Sequence, residues 1–186
     1  MAMADGYAQA SGKLAVVNVH VSPGLGNAMG MLYDAYKAGS PLLLTAGQHD
    51  QSFTITEPIL WSELPPMAKP YVKWAYEVRR LVDLPRAVHR AAKVALTPPT
   101  GPVFLSLPMD LLTTEADVDL GAPTRVDPRI RGSQAAISAA ALRLAQARRP
   151  LIIAGDAVCS SDAHAELVEV AELIGAPLPD SSPASR

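Results

Sequence analysis

The residues with the clearest chemical promise stand at the end of an apolar run. Val16-Val17-Asn18-Val19-His20 is followed by Val21-Ser22-Pro23-Gly24-Leu25-Gly26-Asn27-Ala28-Met29-Gly30. This order reads as a buried strand, a polar turn carrying glycines, and a helix. In a parallel sheet, ligands collect at the carboxyl ends of strands, and a glycine-bearing turn lets backbone amides approach them at the helix N-terminus. His20 falls at such an end, where an imidazole can hold or exchange a proton near neutral pH. The competing reading is a strand-end histidine bonded to neighbouring backbone. Gly24, Gly26 and Asn27 are candidates to line the ligand-facing turn, and Asn27 reads equally well as a helix N-cap. Gln48, at the end of the next apolar run, can contact a ligand, close an interface or serve as an ordinary loop glutamine.

Other chemistry-bearing residues read as structural. The glycines Gly24, Gly26 and Gly30 follow G-x-G-x-x-x-G rather than the G-x-G-x-x-G of a dinucleotide fingerprint. His49, His89 and His164 read as surface histidines, and Trp61 and Trp74, with Leu60 and Tyr76, as core or interface anchors. Gly155-Asp156-Ala157 reads as the turn after a strand. No metal site is expected there, because a cation needs oxygen ligands in near-octahedral array. The single cysteine, Cys159, forms no intramolecular disulfide and no thiolate metal site.

The elements that must position these residues follow from periodicity. Apolar runs at 14–19, 42–46, 103–107 and 151–154, with a weaker alternating run at 71–76, read as strands covered on both faces. Between them, four sets recur at i, i+3, i+4 and i+7: Met29, Leu32, Tyr33 and Tyr36; Leu84, Ala87, Val88 and Ala91; Ile137, Ala140, Ala141 and Leu144; and Leu167, Val170, Ala171 and Ile174. Each predicts one apolar helix face. Ser133 and either Ser161 or Asp162 are expected N-caps of the last two helices, with Gly175 a C-cap. Strands alternating with helices imply an α/β protein: a parallel sheet flanked by helices, followed by a partial second Rossmann-like α/β unit. The stretch 113–132, rich in Asp and Arg and broken by Gly121, Pro123, Pro128 and Gly132, reads as a linker. The organisation expected is therefore a first domain over 1–112, the linker, and the incomplete beginning of a second domain over 133–186.

Composition narrows the partners. In 186 residues, 49% are hydrophobic and 18% charged, enough for a core, and the formal charge of −2 offers no basic excess for nucleic acid. No apolar run approaches the ~20 residues of a membrane span, and the first residues lack a signal-peptide pattern. Together with the single cysteine, these features point to a soluble cytoplasmic protein without membrane partners.

A resemblance adds what spacing does not supply. Ala4-Asp5-Gly6-Tyr7-Ala8-Gln9-Ala10-Ser11-Gly12, then Pro23-Gly24-Leu25-Gly26-Asn27, Ser40-Pro41-Leu42-Leu43-Leu44-Thr45-Ala46-Gly47-Gln48 and Gly101-Pro102-Val103-Phe104-Leu105-Ser106-Leu107-Pro108, in that order, resemble the pyrimidine-binding domain of thiamine diphosphate enzymes. Residues 133–180 more loosely resemble the start of that family's central domain. Asn18-x-His20, Gly26-Asn27-Ala28-Met29-Gly30 and Val72-Lys73-Trp74-x-Tyr76-Glu77 resemble the benzoylformate decarboxylase branch, whereas acetolactate synthases usually carry a small or hydroxyl residue at the position of His20.

The resemblance implies thiamine diphosphate as cofactor, non-oxidative decarboxylation of a 2-keto acid, and His20 as a proton-transfer residue. Gly24, Gly26, Asn27 and Gln48 are then cofactor-facing. It also implies a homo-oligomer, or a full-length subunit, completing a site of which this chain offers one wall. The family's essential glutamate precedes the Ala-Asp-Gly-Tyr motif, and no glutamate here precedes Glu57; its magnesium and diphosphate motif lies in a C-terminal domain. The expectation is thus a fragment, short at both ends and inactive alone. The alternatives are a fragment of an acetolactate-synthase-like carboligase, or a non-catalytic paralogue acting as an interaction module.

Overall fold

The computed structural model describes residues 1–127 and 130–179. Pro128 of the expected linker and the Pro/Ser-rich end from Asp180 lie outside them. The chain divides into two compact units, Met1–Pro128 and Arg129–Arg186.

The first unit runs α1 (Ala2–Ser11), β1 (Ala15–His20), α2 (Val21–Ala38), β2 (Leu42–Gln48), α3 (Leu64–Ala68), β3 (Ala75–Glu77), α4 (Leu84–Leu96), β4 (Val103–Pro108) and α5 (Met109–Thr113), with 3-10 turns at Gln51–Thr56, Lys69–Tyr71 and Leu81–Asp83. Its four strands form one parallel sheet in the order β1-β2-β4-β3. Parallel neighbours need crossovers, and α2 and α4 supply them on opposite faces. Alternation along β2 and β4 divides the core accordingly. Leu44, Ala46 and Phe104 meet Leu25 and Leu32 of α2 and Leu64 of α3, while Leu43, Val103 and Leu105 meet Ala87, Ala91 and Ala95 of α4. Both central strands therefore read as continuous apolar runs.

Several boundaries and faces differ from expectation. The first strand extends to His20 and the second to Gln48, so both candidate site residues are paired strand termini. The strand expected over 71–76 is only Ala75–Glu77, since Pro70 sits in a 3-10 turn that lacks its N–H. Helix α2 buries Val21, Leu25, Ala28, Leu32 and Ala35; of the face expected there, Leu32 is buried and Met29 half-buried, while Tyr33 and Tyr36 are exposed. Small residues approach the sheet more closely, and Tyr33 instead packs edge-on against Tyr71 at 5.3 Å.

Two polar ties brace the sheet. Ser40 Oγ donates to Asp5 Oδ1 in a buried contact that fastens α1 beside β2. The ammonium of Lys73, just before β3, donates to the carbonyls of Val94 and Thr97 and so caps the end of α4. Burial pushes the Lys73 pKa down. A Cβ at Gly101 would lie 3.1 Å from Lys73 Cδ, so the glycine leaves room for this cap.

The second unit carries α6 (Gln134–Ala145), α7 (Asp156–Ser160) and α8 (His164–Ile174). Ser133 caps α6, its Oγ accepting from Ala136 N at 3.2 Å, and Gly175 ends α8 at φ 62°. Neither Ser161 nor Asp162 caps α8, whose N-cap is Ala163: Ser161 closes α7 as its C-cap, and Asp162, at φ 54°, makes the left-handed turn between the two helices. The stretch 151–154 is extended but unpaired with any strand among the described residues. A strand exists through its ladder, and here Ile152 N–H reaches only the Pro177 carbonyl, at 3.3 Å. Gly155-Asp156 is consequently the start of α7 rather than the turn after a sheet strand.

Candidate functional site

The carboxyl edge of the first unit's sheet gathers the candidate residues. His20 ends β1, pairs in register with Gly47 of β2, and keeps an exposed side chain. The chain then turns from strand to helix within one residue. Val21, buried and β-branched, takes the left-handed backbone at φ 36°, a conformation such residues rarely adopt and one that tertiary packing must hold. Gly24 makes the turn sterically feasible: a Cβ there would lie 3.2 Å from Val19 Cβ and 3.3 Å from the Val19 carbonyl carbon. Its lack of a side chain therefore has a packing cause, whatever faces the turn. Gly26 and Asn27 lie inside α2, so Asn27 is an exposed helix-interior residue and not an N-cap.

A second left-handed residue stands opposite. Leu60 has φ 75° and remains partly exposed, and its carbonyl accepts from Ser22 Oγ at 2.7 Å. The Ser22 and Ser62 hydroxyls share a further hydrogen bond at 2.6 Å. The residue that follows the left-handed Val21 is thus tied to the carbonyl of the left-handed Leu60. Below them on β1, Thr45 Oγ1 donates to Asn18 Oδ1 at 2.8 Å, engaging the other polar residue of the Asn18-x-His20 pattern.

Gln48 joins this network from β2. It is buried, its Nε2 donates to the Ser62 carbonyl at 2.8 Å, and its Oε1 accepts from His49 N–H at 3.0 Å. The amide consequently braces the 59–62 loop against the sheet. It also lines a cleft of about 590 Å³ whose walls include Trp61, Glu63, Tyr76, Glu77 and Arg79. His20, Gly24, Gly26 and Asn27 do not line that cleft.

Ser22, Leu60, Ser62 and the cleft aromatics were not singled out as site residues by their sequence. Their partners lie 38 to 40 residues apart along the chain, and no local spacing encodes such ties. Of the remaining histidines, His49 Nε2 contacts the Ile59 carbonyl at 2.9 Å, and His164 Nε2 lies 3.6 Å from Cys159 Sγ on an exposed surface. Among the described residues no three His, Cys, Asp or Glu side chains gather as a metal site, and no helix is long and apolar enough to cross a membrane.

Fold and site together define a class: a parallel α/β domain presenting an imidazole and a strained strand-to-helix turn at the carboxyl edge of its sheet. Residues 1–58 match the thiamine pyrophosphate enzyme N-terminal TPP binding domain, and residues 137–185 match the central domain of the same enzymes. The chain is 37% identical to benzoylformate decarboxylase of Pseudomonas aeruginosa over 99% of its own length and 35% of that protein's. It is 32% identical to the acetolactate synthase large subunit of Buchnera aphidicola, over 96% of its length and 32% of that protein's. The crystal structure of benzoylformate decarboxylase from Polynucleobacter necessarius superposes on it with a TM-score of 0.87 at 39% identity, covering 95% of this chain and 33% of the other. The chain belongs to the thiamine diphosphate enzyme family and spans about a third of the length of these relatives.

Proposed function

We propose that this chain supplies the pyrimidine-side wall of a thiamine diphosphate site that decarboxylates a 2-keto acid, benzoylformate-like in kind, with His20 moving the proton. The observation that carries the reading is the exposed imidazole at the carboxyl end of β1, followed by the left-handed Val21 and by Ser22, whose hydroxyl bonds the Leu60 carbonyl. Similarity to benzoylformate decarboxylases supports the reaction class. When bound, the cofactor supplies the electron sink that lets carbon dioxide leave a keto acid.

The chain's own residues have simpler tasks. His20 stands at the sheet edge, where its ring nitrogens can give or take a proton. Gln48 fixes the loop carrying Leu60 and Ser62. Gly24, Gly26, Asn27 and Gln48 are the residues that would face the organic half of the cofactor; the family's glutamate and the oxygen ligands of the magnesium and diphosphate half would come from another region or subunit, which makes a homo-oligomer or a full-length partner the expected assembly.

Similarity to acetolactate synthases favours a second reading, carboligation of keto acids at the same wall. Isothermal titration of thiamine diphosphate with magnesium into the folded chain tests cofactor binding. Saturable uptake weakened by His20→Ala but not by His89→Ala supports the proposal; a folded chain that takes up none even when mixed with a full-length benzoylformate decarboxylase subunit, or uptake that His20→Ala leaves unchanged, overturns it. With benzoylformate, carbon dioxide release without a ligated product selects decarboxylation.

A further inference from the structure

The imidazole of His20 has no hydrogen-bond partner among the described residues, although His20 is also the N-cap residue of α2. With no such bond to orient the ring, its placement falls to the backbone on either side. On one side the ladder fixes that backbone, where His20 pairs with Gly47. On the other the chain enters Val21, buried and left-handed at φ 36°, a conformation that persists only where neighbouring structure over-determines it.

Ser22 supplies a fixed point just beyond. Its single hydroxyl proton goes to the Leu60 carbonyl at 2.7 Å, so in the 2.6 Å contact with Ser62 it accepts and Ser62 Oγ donates. The loop at the far end is itself fastened to the end of β2. Gln48 Nε2 donates to the Ser62 carbonyl at 2.8 Å, and His49 Nε2 to the Ile59 carbonyl at 2.9 Å. Three carbonyls of one short loop, those of Ile59, Leu60 and Ser62, are therefore each held by a side chain. Gln48 directly follows Gly47, the strand partner of His20. The bonds close a circuit: from His20 through Val21 and Ser22 to the loop, then through Gln48 to Gly47 and back across the sheet. Removing the Ser22 hydroxyl opens this circuit two residues from His20.

We propose that Ser22 is a positioning residue for His20: its hydroxyl, oriented by Ser62, fixes the turn after β1 and thereby where the imidazole stands. This role rests on the reading of His20 as the group that moves the proton.

The test is NMR of the whole chain with isotope-labelled histidines, the His20 ring signals being assigned by their loss in His20→Ala. Ser22→Ala is expected to shift or broaden the His20 ring signals while those of His89 stay in place. It should also weaken thiamine diphosphate uptake about three- to tenfold in the same titration used for His20→Ala, the size of effect that one lost hydrogen bond produces. Ser22→Thr, which keeps the hydroxyl, should restore both readouts. Ser62→Ala removes the donor that orients Ser22 but spares the Leu60 bond, and should give the same changes in smaller measure. Ser11→Ala, whose hydroxyl bonds the Tyr7 carbonyl within α1, should change neither. Far-UV circular dichroism confirms that each variant folds. Ring signals that Ser22→Ala and Ser62→Ala leave as in the wild type, or that Ser22→Thr fails to restore, overturn the proposal. So does undiminished uptake by Ser22→Ala where His20→Ala weakens it. Altered ring signals with no uptake by any form, wild type included, overturn instead the cofactor reading on which the role rests.

Discussion

The two units have comparable local sequence signals and very different interiors. In the first, Leu25, Leu32, Leu44, Phe104 and Leu105 are wholly buried between sheet and helices. In the second, the described residues that reach the buried class are Ala171 and Ala176, while Leu151 and Ile153 are 57% and 75% exposed. Apolar runs of similar length, 42–46 and 151–154, thus have opposite fates. One finds ladder partners on both sides; the other finds none among the described residues. Helices α6 and α8 form because capping and propensity act locally, whereas a strand has no stability without a neighbour.

Hydrogen exchange should draw this contrast most strongly. Amides of β2 and β4 are expected to exchange only through global opening, a free energy of about 5–15 kcal/mol in ordinary domains, and amides of 151–154 nearly as fast as an unfolded peptide. Comparable protection in both runs would erase the distinction. Mutational cost should follow burial: Phe104→Ala is expected to lose about 3–5 kcal/mol in urea unfolding, and Ile153→Ser to stay within about 0.5 kcal/mol.

Within the first unit, Gly24→Val forces atoms into the Val19 backbone and is expected to cost about 1–3 kcal/mol. The denaturation midpoint measures this, and a wild-type midpoint would show that the turn has slack.

The smallest effect concerns Asp50, whose carboxylate accepts from the Ser52 hydroxyl and then from Ser52 N–H, holding its pKa below the ordinary value of 3.8. Stability from this contact is present above that ordinary value and fades as pH falls through the lowered one. Carboxyl titration by NMR should find the low midpoint, and Ser52→Ala should raise it.

These contrasts show where the sequence was legible. Leu42–Gln48 and Val103–Pro108 announced themselves because strands buried on both faces must be apolar at every position. The strand-end position of His20 was legible for a related reason, as a polar residue ending such a run. The buried stripe of α2 was misread because large side chains outweigh alanines in a periodicity count, while close packing on a sheet prefers the alanines. The expected strand at 151–154 had the right residues without a partner.

The sequence by itself determined the α/β alternation, the glycine turn after β1 and the ordered motifs of the thiamine diphosphate family, since these depend on neighbours along the chain. Tertiary structure alone decided that Val21 and Leu60 would take left-handed backbone, that Ser22 would bond the Leu60 carbonyl, and that Gln48 would brace a loop. Each of these joins residues distant in sequence, and such pairs become neighbours only after the sheet has paid the entropy of bringing them together.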